Sequence, residues 1–166
     1  SAGRLMPHLH LPAQSGSDGV LKRMARRNRA AEFEALAAAA RLAIPGLTIT
    51  TDLIAGFPGE TEADFAETVE FARRLRFAHI HAFTFSARAG TAAARLGNHA
   101  PEAERKRRTR ILNELDAELG AAVRLGFGHP FETARVRLGG VAAHDEDDVG
   151  VLDVDPVVRH RTTAER

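Results

Sequence analysis

Leu47–Ile54 is the stretch that most limits what this chain can fold into. It reads LTITTDLI, rich in β-branched residues and nearly continuous in apolarity, as a buried strand of a parallel sheet should be. It stops at Gly56-Phe57-Pro58-Gly59. Thr61 then caps a helix from Glu62 to about Arg76, with Asp64 in the first turn to complement the helix dipole. That helix turns Phe65, Val69, Phe71 or Ala72, and Leu75 inward. Ile80–Phe85 is the next strand.

The region before Leu47 repeats the plan. Pro7–Ala13 reads as a strand, and Ser17 or Asp18 caps a short helix through Met24. A second helix, from about Ala30 to Ile44, keeps Phe33, Leu36, Ala40 and Ala43 or Ile44 at helical spacing until Pro45-Gly46 ends it. Strand, helix, strand, helix, strand at this spacing requires crossover connections, hence an α/β fold with a parallel sheet. After Thr91 a polar linker runs to Ala100. Pro101 then opens a long helix to about Leu125, whose buried stripe is Ile111, Leu112, Leu115, Leu119 and Val123. Glu132–Leu138 and Val149–Val158 read as strands of a small β-rich appendage, giving units at 1–125 and 126–166.

Composition narrows the chemistry. With 166 residues and 44% hydrophobic content the chain can bury a core. No apolar run reaches the roughly 20 residues of a bilayer span, so a cytoplasmic location is expected. There is no cysteine, which removes disulfides, thiolate metal ligands and cysteine nucleophiles from this chain. A net charge of +1 gives no general argument for nucleic acid. Arg105, Lys106, Arg107, Arg108 and Arg110 could meet RNA phosphates, but a solvated helix face is the commoner reading of such a run. The Asp145–Asp148 run lacks the glycine and closing glutamate of a calcium loop.

Three strands end in small or polar residues, and in parallel sheets ligands gather at that end. Gln14-Ser15-Gly16 offers an amide, a hydroxyl and an accessible backbone, although a βα loop with an N-cap serine is the commoner reading of that turn taken alone. Gly56–Glu60 offers free N–H groups, yet lacks the Lys-Ser ending of a phosphate loop. Asp52 lies inside a buried strand, so it either lines a site or has a structural partner. His8, His10, His79 and His81 alternate along two strands. Metal spacing is absent, and polar lining of a barrel interior fits them better.

Read together, LMPHLHLPAQSGSDGVLKRMAR, TTDLIAGFPGETEADFAETVEF and HIHAFTFSARAGTAAA resemble successive motifs of the radical S-adenosylmethionine methylthiotransferases. The resemblance covers about Arg4 to Leu125. It implies the second half of a partial (β/α)6 barrel, and thus a fragment of a longer enzyme, followed by a truncated or divergent TRAM-like segment within Phe131–Val158. The implied reaction adds a methylthio group to a hypermodified adenosine of tRNA or to a ribosomal-protein aspartate. The TTDLIAGFPGET form and the histidines of HIHAFTFS lean toward threonylcarbamoyladenosine.

The resemblance also implies S-adenosylmethionine and two [4Fe–4S] clusters as cofactors. The cluster cysteines belong to earlier parts of such enzymes, so a cysteine-free chain holds neither cluster by these ligands and is expected to be inactive alone. By position, Gln14 and Ser15 would face the ribose and methionyl side, and Arg26 would neutralise the carboxylate. Asp52, Ile54 and Gly56 would line the adenine or target side, with Phe85 and Ser86 closing the rim. Asn28 stands where an aromatic is usual, Phe85 replaces a tyrosine, and Ala87 and Ala92 replace prolines. A non-catalytic cofactor- or RNA-binding α/β module is the alternative. An open edge at Pro7–Ala13 would let two copies associate.

Overall fold

The computed structural model describes residues 7–124. Along them run β1 (His8–His10), α1 (Asp18–Arg23), α2 (Ala30–Ala43), β2 (Thr48–Ala55), α3 (Glu62–Leu75), β3 (His79–Thr84), α4 (Ala92–Arg95) and α5 (Glu102–Arg124). The strands form one parallel sheet in the order β1-β2-β3. The expected α/β fold is therefore present, and three consecutive parallel strands in an open sheet are consistent with part of a barrel. The strands expected at Glu132–Leu138 and Val149–Val158, and the whole appendage from 126, lie outside the described residues.

β1 is shorter than the Pro7–Ala13 expected, and the reason is local. Pro12 has no N–H to give to the ladder. A side chain bridges the gap: Ala13 N donates to Thr51 Oγ1 at 3.0 Å, and that hydroxyl donates to Leu11 O at 2.7 Å. Pairing resumes one residue later, where Gln14 bridges Leu53.

One face of the sheet is apolar and carries α2, α3 and α5. Ile49, Leu53 and Ile80 from the strands pack with Phe71, Phe77, Leu112 and Leu115 in one core. Phe33, Phe71 and Phe77 meet with ring centroids 5.5–6.1 Å apart. Full burial, as of Phe71 and Phe77, contributes about 1.5–3 kcal/mol per side chain. Along α2 the inward stripe is Ala30, Phe33, Ala37 and Ala40. Leu36, one step off that stripe, is a third exposed, a difference that helical spacing alone does not reveal.

α3 begins as its sequence requires. Asp64 N donates to Thr61 Oγ1 at 3.1 Å, and Thr61 N donates back to Asp64 Oδ2 at 2.9 Å. The linker expected after Thr91 instead contains α4, because Thr91 Oγ1 caps Ala94 N at 3.2 Å over an alanine run. Asp18 serves α2 rather than its own helix, accepting from Ala30 N at 2.9 Å.

The other face of the sheet is polar. Register pairs His8 with Thr48, His10 with Thr50, Thr50 with His79 and Asp52 with His81, so all of these share one side. The four histidines there are exposed, as is Phe83 at 52%. Parallel sheets are ordinarily covered on both faces, so a polar, accessible face is the feature that marks this sheet as lining something.

Candidate cofactor-binding rim

At the C-terminal end of the sheet three loops come together. The first follows β1. Gln14 has φ 69°, a left-handed conformation costly for a non-glycine residue. It is held by Gln14 N donating to Asp52 O at 2.8 Å and by Ile54 N donating to Gln14 O at 2.9 Å. Ser15 is 1% exposed, and its hydroxyl sits in a relay. Ser17 N donates to Ser15 Oγ, which pairs with Thr68 Oγ1 at 3.1 Å, and Thr68 donates on to Asp64 O. Gly16 N also donates to Thr68 Oγ1. A Cβ on Gly16 would collide with Phe71 and with the Thr68 backbone. This loop is therefore locked onto α3.

Asp64 ties the same region together. Its carboxylate accepts from Ser17 Oγ at 2.6 Å, Arg23 Nη2 at 2.9 Å, and the Thr61 amide and hydroxyl. Burial pushes this carboxyl upward, but those donors outweigh it and hold it at about 2.

The second loop, Gly56–Glu60, is clamped from below by α5. Gly56 has φ +77°, and a Cβ there would strike the stem of Arg105. Gly56 N donates to Glu60 Oε2 at 2.7 Å. Arg108 Nη1 donates to the same oxygen at 2.8 Å and to Glu60 O at 3.0 Å. The side chains of Glu60 and Arg108 are 0% and 6% exposed. Arg108 also reaches Glu104 at 2.9 Å and Glu62 at 3.1 Å, and its guanidinium lies 5.4 Å from the Phe65 ring centroid.

Burial pushes Glu60 upward against the pull of Arg108 and the Gly56 amide, and Oε1 finds no partner among the described residues. Burial lowers Arg108, but Glu60 and Glu104 more than restore it, so its pKa is raised. The two partners thus pull in opposite senses. The single charge-assisted contact from Arg108 Nη1 to Glu60 Oε2 at 2.8 Å, joined by the Gly56 amide on the same oxygen, favours an ionised pair. The third loop follows β3: Arg105 donates to Phe85 O and to Ala100 O. One helix therefore fixes two rim loops. This corrects the reading of a solvated or phosphate-facing run for Arg105 and Arg108, whereas Lys106 and Arg110 are solvated as expected, 69% and 71% exposed. Arg105, Arg107 and Arg108 are all engaged within the protein, Arg107 with Glu62 and Glu104.

The sequence-predicted site residues divide into groups. Gln14, Ile54, Gly56 and Phe85 stand at adjacent strand ends, with Phe85 N donating to Ala55 O at 2.9 Å, and Ser86 follows exposed. Phe85 is 9% exposed and packs in a small second core with Val20 and Phe57, against which Ile54 also lies. Ser15 belongs to the same loop, but its hydroxyl is directed into the relay and not toward a ligand. Asp52 lies lower, on the polar face, with Oδ1 3.4 Å from His10 Nε2. Arg26 is exposed on the turn after α1. Among the described residues its guanidinium has no hydrogen-bond or ion-pair partner.

Comparison with known proteins bears on this arrangement. Residues 1–72 match the model of the Radical SAM superfamily. A threonylcarbamoyladenosine tRNA methylthiotransferase of Thermotoga maritima is 47% identical over 111 residues, 67% of this chain and 26% of the relative. A tRNA-2-methylthio-N(6)-dimethylallyladenosine synthase of Thermobifida fusca is 48% identical over 115 residues, 69% and 23% respectively. Its namesake in Maricaulis maris is 43% identical over 119 residues, 72% and 26%. Over its matched residues the chain is similar to radical SAM methylthiotransferases of tRNA. It spans about a quarter of the length of the curated relatives it matches.

Sequence reasoning missed the clamp from α5. Glu60 and Arg108 are 48 positions apart, and each stands in a run whose charge reads as surface. The only available signal was that Glu60 closes a glycine turn whose amides need acceptors. The pairing of Asp52 with His10 and His81 was equally hidden, because it depends on strand register.

Proposed function

We propose that this chain forms part of the cofactor-binding barrel of an enzyme that attaches a methylthio group to a hypermodified adenosine of tRNA. The observation that carries the reading is the convergence of Gln14, Ile54, Gly56, Phe85 and Ser86, all from the three stretches that resemble the family's motifs, at one end of a parallel sheet. Residues 1–125 act as the half-barrel unit, and 126–166 as a smaller C-terminal one. The setting is the cytoplasm, where tRNA is modified. No described helix is long and apolar enough to cross a membrane.

The rim fits S-adenosylmethionine. Arg26, exposed and with no partner for its guanidinium among the described residues, supplies a cation suited to the methionyl carboxylate. Ile54, beside the Phe57–Phe85 pair at 5.2 Å, supplies an apolar wall for the adenine. Gly56, lacking a Cβ, lets backbone approach the ligand, and Gln14 and Ser86 offer polar groups at the edge. Bound there, S-adenosylmethionine supplies the radical and methyl-donor chemistry of the family. The residues of this chain orient it and exclude water. The [4Fe–4S] clusters do not fit this chain, which has no cysteine, so thiolate ligands for them must come from outside it.

Threonylcarbamoyladenosine is the substrate we favour, from the TTDLIAGFPGET form, the histidines of HIHAFTFS and the Thermotoga relative's name. The dimethylallyl-type names of other relatives support a second reading, the isopentenyl-type adenosine. Nucleoside mass spectrometry of tRNA from cells with and without the intact gene separates them. Loss of the methylthio form of threonylcarbamoyladenosine supports the first, and loss of only the isopentenyl derivative supports the second. No change in any tRNA nucleoside refutes both, and returns the ribosomal-protein or non-catalytic binding roles.

A further inference from the structure

The polar face of the sheet carries a cluster that the rim does not use. His10 of β1, Asp52 of β2 and His81 of β3 each offer one ligand atom, and these atoms all lie within 4.8 Å of one another. Register produces the cluster. His81 pairs with Asp52, and His10 pairs with Thr50 two residues earlier on the same face. No spacing within one strand could have revealed it.

The surrounding hydrogen bonds settle which nitrogen of His10 faces the cluster. Thr48 Oγ1 donates to Pro7 O at 3.1 Å, so its lone pair accepts from His8 Nδ1 at 3.2 Å. His8 Nε2 is then the acceptor for the Thr50 hydroxyl at 3.5 Å. Thr50 Oγ1 in turn accepts from His10 Nδ1 at 2.9 Å. A neutral His10 consequently carries its proton on Nδ1. Its Nε2 lone pair faces Asp52 Oδ1 at 3.4 Å. Two electron-rich atoms at that distance repel unless a cation lies between them. A proton meets the need for two groups. The third donor, His81, with its ring centroid 5.7 Å from that of His10, suits an ion that takes three ligands.

We propose that His10, Asp52 and His81 bind a divalent transition-metal ion of the zinc type. Two imidazoles and one carboxylate form an established donor set for such ions, whereas magnesium and calcium select oxygen ligands. The remaining coordination position opens onto the exposed polar face, where water or a substrate atom completes the sphere. Thr50 is a positioning residue, because it fixes the tautomer and ring orientation of His10.

The test is calorimetric titration of the purified 166-residue chain with zinc chloride in a non-chelating buffer. Cobalt substitution followed by visible absorption reports the ligand set. One ion per chain is expected. His10→Ala, His81→Ala and Asp52→Asn each abolish stoichiometric binding. Thr50→Val, which leaves all three ligands in place, weakens binding by about 10–100-fold. His99, which lies against the Phe85 ring at 5.9 Å and outside the cluster, is the control: His99→Ala leaves binding unchanged. His10 and His81 are exposed, so truncating them should preserve the fold, which circular dichroism verifies. Binding that survives both Asp52→Asn and His81→Ala would assign it to scattered surface imidazoles and overturn the proposal. So would nitrogen NMR showing His10 protonated on both ring nitrogens at neutral pH and insensitive to added zinc. Neither readout depends on methylthiotransferase activity, so this proposal and the functional one fail separately.

Discussion

Arg108→Met is the sharpest test of how the rim is held. The change keeps the apolar stem and removes the guanidinium that spans Glu60 Oε2 at 2.8 Å, Glu60 O at 3.0 Å and Glu104 at 2.9 Å. Breaking a buried ion pair by deleting one partner costs about 3–5 kcal/mol, because the other charge stays buried. The contacts to the exposed ends of Glu62 and Glu104 add little. Glu60 is already pushed upward by burial, so it can take up a proton instead of remaining an unpaired anion. That limits the loss to the lower end, about 3 kcal/mol. At about 2–4 °C per kcal/mol for a chain of this size, Tm falls by about 10 °C.

The pH dependence follows from the direction of that shift. A carboxyl whose folded pKa lies above its unfolded value stabilises fully below the unfolded value and loses that contribution as pH rises through the folded one. The deficit of Arg108→Met should therefore be larger near about pH 7.5 than near about pH 5. The chain has no tryptophan or tyrosine, so urea unfolding is followed by far-ultraviolet circular dichroism. A double-mutant cycle with Glu60→Gln isolates the pair. A loss below about 1 kcal/mol, the level of a surface pair, or a coupling energy near zero would refute the clamp.

Three further expectations follow from the same contacts. Asp64→Asn removes the anion that gathers Ser17, Thr61 and Arg23 and should cost about 1–2 kcal/mol at neutral pH. Because the folded pKa is depressed from 3.8 to about 2, the stabilisation is intact above the unfolded value and disappears as pH falls between them. Acid titration should accordingly show the wild type losing its advantage over the variant in that window. Gly56→Ala places a Cβ at φ +77° against Arg105 and should cost about 1–3 kcal/mol in a urea titration; a neutral outcome would mean the loop can shift freely. Self-association should use the edge of β1, since at β3 the Asp116 carboxylate covers the strand edge, accepting from Ile80 N at 2.7 Å. Sedimentation that detects only monomer at high concentration would count against it.

Local rules were enough for much of this protein. Alternation of β-branched and helical periods defined three strands and their helices within a few residues, because burial period and capping act over a single turn or strand. Thr61 and Asp64 capped α3 as their spacing required, and glycine turns marked the strand ends that form the rim. Pro12 shortened β1 and Thr91 nucleated α4, both effects of one residue on its immediate backbone. Only the tertiary structure decided what the charged residues do. Arg108 reads as one of six consecutive polar residues (Arg105–Arg110), yet α5 delivers it to Glu60, because a buried carboxylate under a glycine turn needs a donor from elsewhere. His10, Asp52 and His81 meet only because parallel register sets them abreast. Ser15 shows the converse: its place in the motif suggested a ligand contact, and packing of the loop on Thr68 used its hydroxyl inside. Short-range periodicity in the sequence determines the faces and ends of elements, while long-range pairing depends on which faces the fold brings together.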